Sequence, residues 1–249
     1  MIYKKSPDEI KIMRQAGAIV SDTLERLRAA VRPGVTTAEL DALAEEAITA
    51  AGGRPSFKGY RGFPASICSS PNEVIVHGIP DDRILAEGDI VSLDVGVLWR
   101  GFHADSAWTF PVGSVSSEVT RLLEVTEASL EAAIAECAPG KRLGDVGAAV
   151  ERVATEAGLS IVREYVGHGV GRSLHEDPQI PNYGPPGRRE LLGVGMTLAI
   201  EPMVNLGSPG TRALSDGWTV VTADGKWSAH FEHTVAIVPE GHEVLTRRW

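Results

Sequence analysis

Cysteine is scarce in this chain of 249 residues: Cys68 and Cys137 are the only two. That excludes a disulfide framework and reads as two buried thiols in a reducing compartment. Long apolar runs are missing as well, so no segment approaches the roughly 18 residues of a membrane-spanning helix. The opening MIYKKSPDEIKIMRQAG turns charged and helical at once and lacks the apolar core of a secretory signal, which places the protein in the cytoplasm. Positive charge is in deficit, with a net charge of −9, and a phosphate-binding surface needs the opposite sign. Nucleic acid is therefore not expected as a main partner. Linkers and low-complexity segments are absent too, so a single domain over 1–249 is expected.

What is present is an ordinary globular composition, 43% hydrophobic and 23% charged. Two helical patterns, from Ser6–Pro7 to about Val31 and from Thr36–Thr37 to about Gly52, are separated by Pro33–Gly34. Strand-like runs follow near 64–68, 73–76 and 90–110. Two more helices are expected from Ser117 to about Cys137 and from Leu143 to Ala157, then strands near 160–166, 196–204, 219–222 and 230–238, with a loop over 206–225. The order repeats. Pro33–Gly34 recurs at Pro139–Gly140, Ala51–Gly52 at Ala157–Gly158, and LAEGDIVSLD, ending at Asp94, is echoed by LGVGMTLAIE, ending at Glu201. Two related halves, about 1–112 and 113–249, predict an α+β fold: one antiparallel-rich sheet with the helices packed on one face.

The stretch IVSLDVGVLWRGFHADSAWTF places Asp94 and Asp105 in what reads as a buried hairpin. A turn centred between Trp99 and Arg100 would set them directly opposite each other. Two carboxylates about 5 Å apart at such a pair repel unless a proton or cation lies between them. Glu201 and Glu232 also sit in apolar runs, and Arg100 is the only cationic residue near any of the four. Each acid alone could equally be an edge-strand residue facing water; four together point to a cation site. His168, between Gly167 and Gly169, adds an imidazole. The glycine spacing does not fit a dinucleotide cradle, HExxH is absent because Asp177–Pro178 follows His175–Glu176, and clustered Cys or His ligands for structural zinc are missing. Carboxylates with one imidazole suit Mn²⁺, Fe²⁺ or Co²⁺ at least as well as Zn²⁺, and four carboxylates suffice for two ions.

The segments LDVGVLWRGFHADSAWTF, GHGVGRSLHEDP, LAIEPMV, HFEHTVAI and NEVIVHGIP, in this order and spacing, resemble those of the type I methionine aminopeptidases, pita-bread metallopeptidases. The resemblance spans nearly the whole chain. It implies the pita-bread fold and a dinuclear site in which Asp94 binds one metal, Asp105 and Glu232 bridge both, and His168 and Glu201 bind the other. It implies further that Glu201 shuttles a proton and that His77 and His175 contact substrate at the scissile bond. Phe57, Tyr60, Phe63, Cys68, Leu174 and Trp218 match the wall that accepts the methionine side chain. Phe63, Leu174, Gly96 and Ala199 stand where relatives can carry other residues, which bears on the shape of the site. The implied activity is hydrolytic removal of the initiator methionine from nascent chains and peptides with a small second residue, by a monomer that meets the ribosome transiently. Two alternatives remain: an Xaa-Pro aminopeptidase or prolidase-like peptidase, whose relatives carry an additional N-terminal domain, and a non-catalytic binding module, which would be expected to lose ligands.

Overall fold

The computed structural model describes residues 1–247; Arg248 and Trp249, the end of the expected domain span, lie outside the described residues. Helices α1 (Pro7–Ala30), α2 (Thr37–Ala50), α3 (Ser117–Ala135) and α4 (Leu143–Glu156) fall where the breakers and caps put them. Ser6 and Thr36 each accept the backbone N–H three residues on, and Glu9 and Glu39 accept the N–H of Ser6 and Thr36 in return. These reciprocal caps fix both helix starts. The first half carries strands β1 (Arg54–Pro55), β2 (Cys68–Pro71), β3 (Val74–Val76), β4 (Ile90–Trp99) and β5 (Phe102–Pro111). The second carries β6 (Ser160–Ile161), β7 (Gly167–Gly169), β8 (Glu176–Ile180), β9 (Thr197–Ile200), β10 (Met203–Asn205), β11 (Thr211–Ala213), β12 (Val220–Thr222), β13 (Ser228–His230), β14 (His233–Val238) and β15 (Gly241–Val244). Among the described residues no helix is long and apolar enough to cross a membrane.

The pairing of the strands is antiparallel, but the expected single sheet is divided into four smaller ones of three to five strands. Proline explains one division. Pro202 has no N–H to donate, so the run expected over 196–204 splits into β9 and β10 on either side of Glu201 and Pro202. The run over 230–238 splits likewise around Phe231 and Glu232; β12 falls on the strand expected near 219–222, and its partner β11 lies in the stretch expected to be loop over 206–225. Strand alternation then sorts the faces. Val91, Leu93, Val95 and Val97 of β4 pack with Ala16, Val20, Leu27 and Leu40 of α1 and α2, which leaves Asp94 and Gly96 on the other face. In the second half, Leu122, Leu130, Val146 and Val150 of α3 and α4 cover Leu198, Ile200 and Val235. Trp108 borders both clusters and meets Phe231 edge to face at 4.7 Å.

The β4–β5 hairpin differs from expectation in register. Asp94 lies opposite Ala107 and Asp105 opposite Gly96, so the two acids are diagonal neighbours and not a direct pair. The turn is Arg100–Gly101, with φ of 47° and 83°. A tight two-residue hairpin needs positive φ at both central positions, which Gly101 accepts without cost and Trp99 would resist. Because the register moved by two residues, both acids keep the same face.

Candidate metal centre

Asp94 comes from the middle of β4 and Asp105 from β5, while Glu201 directly follows β9 and Glu232 directly precedes β14. The β9–β14 ladder closes on Ile200 opposite His233, so Glu201 and Glu232 are the next residues of each strand beyond it. The hairpins of the two halves are sewn together at this point. Thr234 Oγ1 donates to the Asp105 carbonyl at 2.8 Å and accepts the Asp105 N–H at 2.9 Å, and the Glu232 N–H donates to Ala107. His168 enters from β7 opposite Ala199 of β9. The flanking glycines let the neighbouring strands approach. A Cβ on Gly167 would lie 2.4 Å from the Ala199 carbonyl oxygen, and one on Gly169 would lie 2.2 Å from that of Asp177.

All five side chains line one cavity of about 590 Å³. Asp105, His168 and Glu232 each offer a ligand atom within 4.8 Å of the others, and His168 Nε2 stands 3.6 Å from Glu201 Oε1 and 3.9 Å from Asp105 Oδ2. Asp94 Oδ1, Asp105 Oδ1 and Glu232 Oε1 are buried without a hydrogen-bond donor. Among the described residues the ion-pair contacts of these acids are with histidine, none with lysine or arginine. An unpaired buried charge costs several kcal/mol. Burial, with the neighbouring carboxylates next, accordingly pushes Asp94, Glu201 and Glu232 well above the usual carboxylate range; burial also lifts Asp105 to about 7. Burial lowers His168 to about 4, so its ring is neutral. Its Nδ1 faces the Gly169 carbonyl at 2.9 Å and must carry the proton, which leaves the Nε2 lone pair directed at the acids. Orphaned carboxylate oxygens around a free imidazole lone pair fit a divalent cation.

The remaining candidates line the same cavity. His175 Nδ1 is 2.8 Å from the Tyr60 hydroxyl and its ring lies 4.2 Å from that of His168; one side of the residue is exposed, and the partial loss of water, with His168 and His77 beside it, lowers it below the ordinary imidazole range. His77 has φ of 58°, a left-handed conformation worth roughly 1–3 kcal/mol of strain in a residue with a side chain, and sits edge-on to Tyr165 and Trp218. Phe57, Phe63, Cys68 and Leu174 form one buried cluster, joined by Tyr60 and Trp218. Gly96 permits it: a Cβ there would stand 2.7 Å from the Phe57 ring. Two residues escaped the sequence reading. Arg61 lines the cavity mouth over the Tyr60 ring. His230 is buried with its Nε2 3.8 Å from Glu201 Oε2, and its position two before Glu232, on the same side of a strand-like run, was the available signal.

A two-halved sheet carrying four buried or half-buried carboxylates and an imidazole in one cavity defines a metallopeptidase of the pita-bread class, a class that uses divalent metal. Residues 11–239 match the model of metallopeptidase family M24, and the chain belongs to that family. It is 55% identical to methionine aminopeptidase 1 of Bacillus subtilis, covering 99% of this chain and all of the relative. The crystal structure of methionine aminopeptidase from Thermotoga maritima superposes with a TM-score of 0.98 at 46% identity, over the full length of both chains. The prolidase of Pyrococcus furiosus, at 22% identity and a TM-score of 0.80, shares the fold over 66% of its own length.

Proposed function

We propose that the chain is a metal-dependent aminopeptidase that hydrolyses the first peptide bond of nascent proteins and peptides beginning with methionine and followed by a small residue. The carrying observation is that the thirteen-residue set assembled from sequence shares one cavity, in which an aromatic and aliphatic wall runs into the acid cluster. An unbranched thioether suits such a wall. Asp94, Asp105, His168, Glu201 and Glu232 would hold two divalent ions of the Mn²⁺, Fe²⁺ or Co²⁺ kind, with Asp105 and Glu232 shared; bound ions supply Lewis acidity and a water of lowered pKa.

The chain's own groups do the rest. Phe57, Tyr60, Phe63, Cys68, Leu174 and Trp218 seat the methionine side chain and exclude water from the scissile bond. His77 and His175, which line the cavity beside the acids, can each donate one N–H to the oxygen on which charge develops. Glu201, which lines the cavity beside His168, takes the proton of the attacking water as a carboxylate and passes it to the leaving amine. The protein works as one catalytic domain and as a monomer in the cytoplasm, meeting nascent chains transiently at the ribosome. Its net charge of −9 and free buried Cys68 and Cys137 accord with that setting.

The test is to strip metal, restore Mn²⁺, Fe²⁺, Co²⁺ or Zn²⁺ separately, and measure the amino acid released from Met-Ala-Ser and Ala-Pro-Ser. Methionine from the first peptide is expected, with Mn²⁺, Fe²⁺ or Co²⁺ most effective. Alanine alone would favour the prolidase-like reading, and no release with any ion would favour a binding module.

A further inference from the structure

His230 is 2% exposed, and among the described residues its Nε2 is the one buried side-chain nitrogen without a hydrogen-bond partner. The ring cannot swing out to find one. Its backbone is held on one side by Met203 of β10 and on the other by Thr109, whose hydroxyl accepts the His230 N–H at 2.9 Å and donates to its carbonyl at 2.8 Å. The nitrogen therefore stays where the strands put it, 3.8 Å from Glu201 Oε2. The other oxygen of that carboxylate, Oε1, faces His168. Glu201 thus lies between two imidazoles, one near each oxygen, and its backbone carbonyl accepts the Asn182 amide N–H at 3.0 Å.

The geometry points to His230 as a positioning residue that donates its Nε2–H to Glu201 Oε2 and so keeps Oε1 free for metal. The donor lies about 0.9 Å beyond the usual N–H···O separation of roughly 2.9 Å. A small rotation of the carboxylate closes that gap and satisfies an otherwise orphaned buried nitrogen, whose neglect would cost about 1–3 kcal/mol. His230 does not line the cavity that the five candidate ligands share, so a direct ligand role is not what its placement serves. Supporting donors of this kind typically change metal affinity by about 10–100-fold.

The inference rests on the metallopeptidase reading, so the wild type is the control for both. Apoprotein is titrated with Co²⁺, followed by calorimetry and visible absorption, and kcat and KM are measured on Met-Ala-Ser. In His230→Gln, which keeps a side-chain N–H at similar reach, the Co²⁺ Kd is expected within about threefold of wild type. In His230→Leu, and in His230→Asn, which withdraws the donor by one methylene, Kd is expected to rise about 10–100-fold. At saturating Co²⁺, kcat of these two should fall with KM unchanged. His230→Asn keeps the test alive if leucine is not tolerated in folding. Wild-type Kd in His230→Leu or His230→Asn, or a His230→Gln variant as weak as those two, overturns the positioning role. Failure of the wild type to bind Co²⁺ and release methionine would instead overturn the metallopeptidase reading.

Discussion

At the scale of single residues, the acids were legible because each interrupts an apolar run, and burial makes an acid there costly unless something compensates it. Asp105 is the most telling. It is 4% exposed and its Oδ1 has no donor, yet it stands within ligand distance of His168 and Glu232. Asp105→Asn keeps the shape and removes the charge, and tight metal binding and turnover should both be lost. The fall in kcat/KM should exceed the roughly 10–100-fold cost of losing a mere supporting partner. Unchanged turnover would mean that the site is misassigned. Tyr60→Phe is a gentler probe: it deletes the hydroxyl on His175 Nδ1, a single hydrogen bond worth about 1 kcal/mol, and should lower kcat about fivefold while sparing metal affinity. An unaltered kcat would release His175 from dependence on that contact. Residue-level reading failed where the informative property is relational. His230 looks like any core histidine until Glu201 is found beside it, and the two lie 29 positions apart in sequence.

At the scale of elements, helices were easier to read than strands. Capping acids, prolines and glycines mark helix ends locally, and all four helices lie within a few residues of the expected spans. Strand ends depend on which backbone pairs with which, and that is why Pro202 and Phe231–Glu232 cut runs that periodicity treats as continuous. The hairpin register turned on one dipeptide: Arg100–Gly101 can supply two positive φ angles and Trp99–Arg100 cannot. Glycine at β7 has a different and testable purpose. Gly169→Ala would force a methyl to 2.2 Å from the Asp177 carbonyl oxygen, and backbone cannot yield as a flexible side chain would. A loss of about 1–3 kcal/mol in denaturant unfolding is expected, with weakened metal binding because His168 moves with its strand. At Gly96→Thr the atoms nearest the new Cβ belong to the Phe57 ring and Ser56 Cβ, side chains and not backbone, so the fold should survive while the displaced ring narrows the methionine pocket. KM for Met-Ala-Ser should rise severalfold, and a KM equal to wild type would show that Phe57 does not bound the substrate.

At the scale of the whole molecule, four acids and several histidines, buried in their uncharged forms, give the metal-free protein a pH dependence whose sign can be worked out. The folded pKa values of Asp94, Asp105, Glu201 and Glu232 are raised by burial. Their contribution is complete below the ordinary carboxylate range and is lost as pH rises, through about 7 for Asp105 and beyond for the others. The histidines run oppositely. His168, lowered to about 4, and His230 and His233, lowered to about 3, contribute stability above the ordinary imidazole value of about 6.5 and lose it as pH falls toward those values. The two sets oppose each other in acid, and above about pH 6.5 only the carboxylates still titrate. The melting temperature of the apoprotein should therefore decline between about pH 6.5 and 8.5. A divalent ion offsets the carboxylate charge, so the metal-loaded protein should lose that decline and gain about 2.7 kcal/mol when free metal reaches 100 times its Kd. Parallel melting curves with and without metal across this range would mean that the buried acids are neutralised by something other than a bound cation.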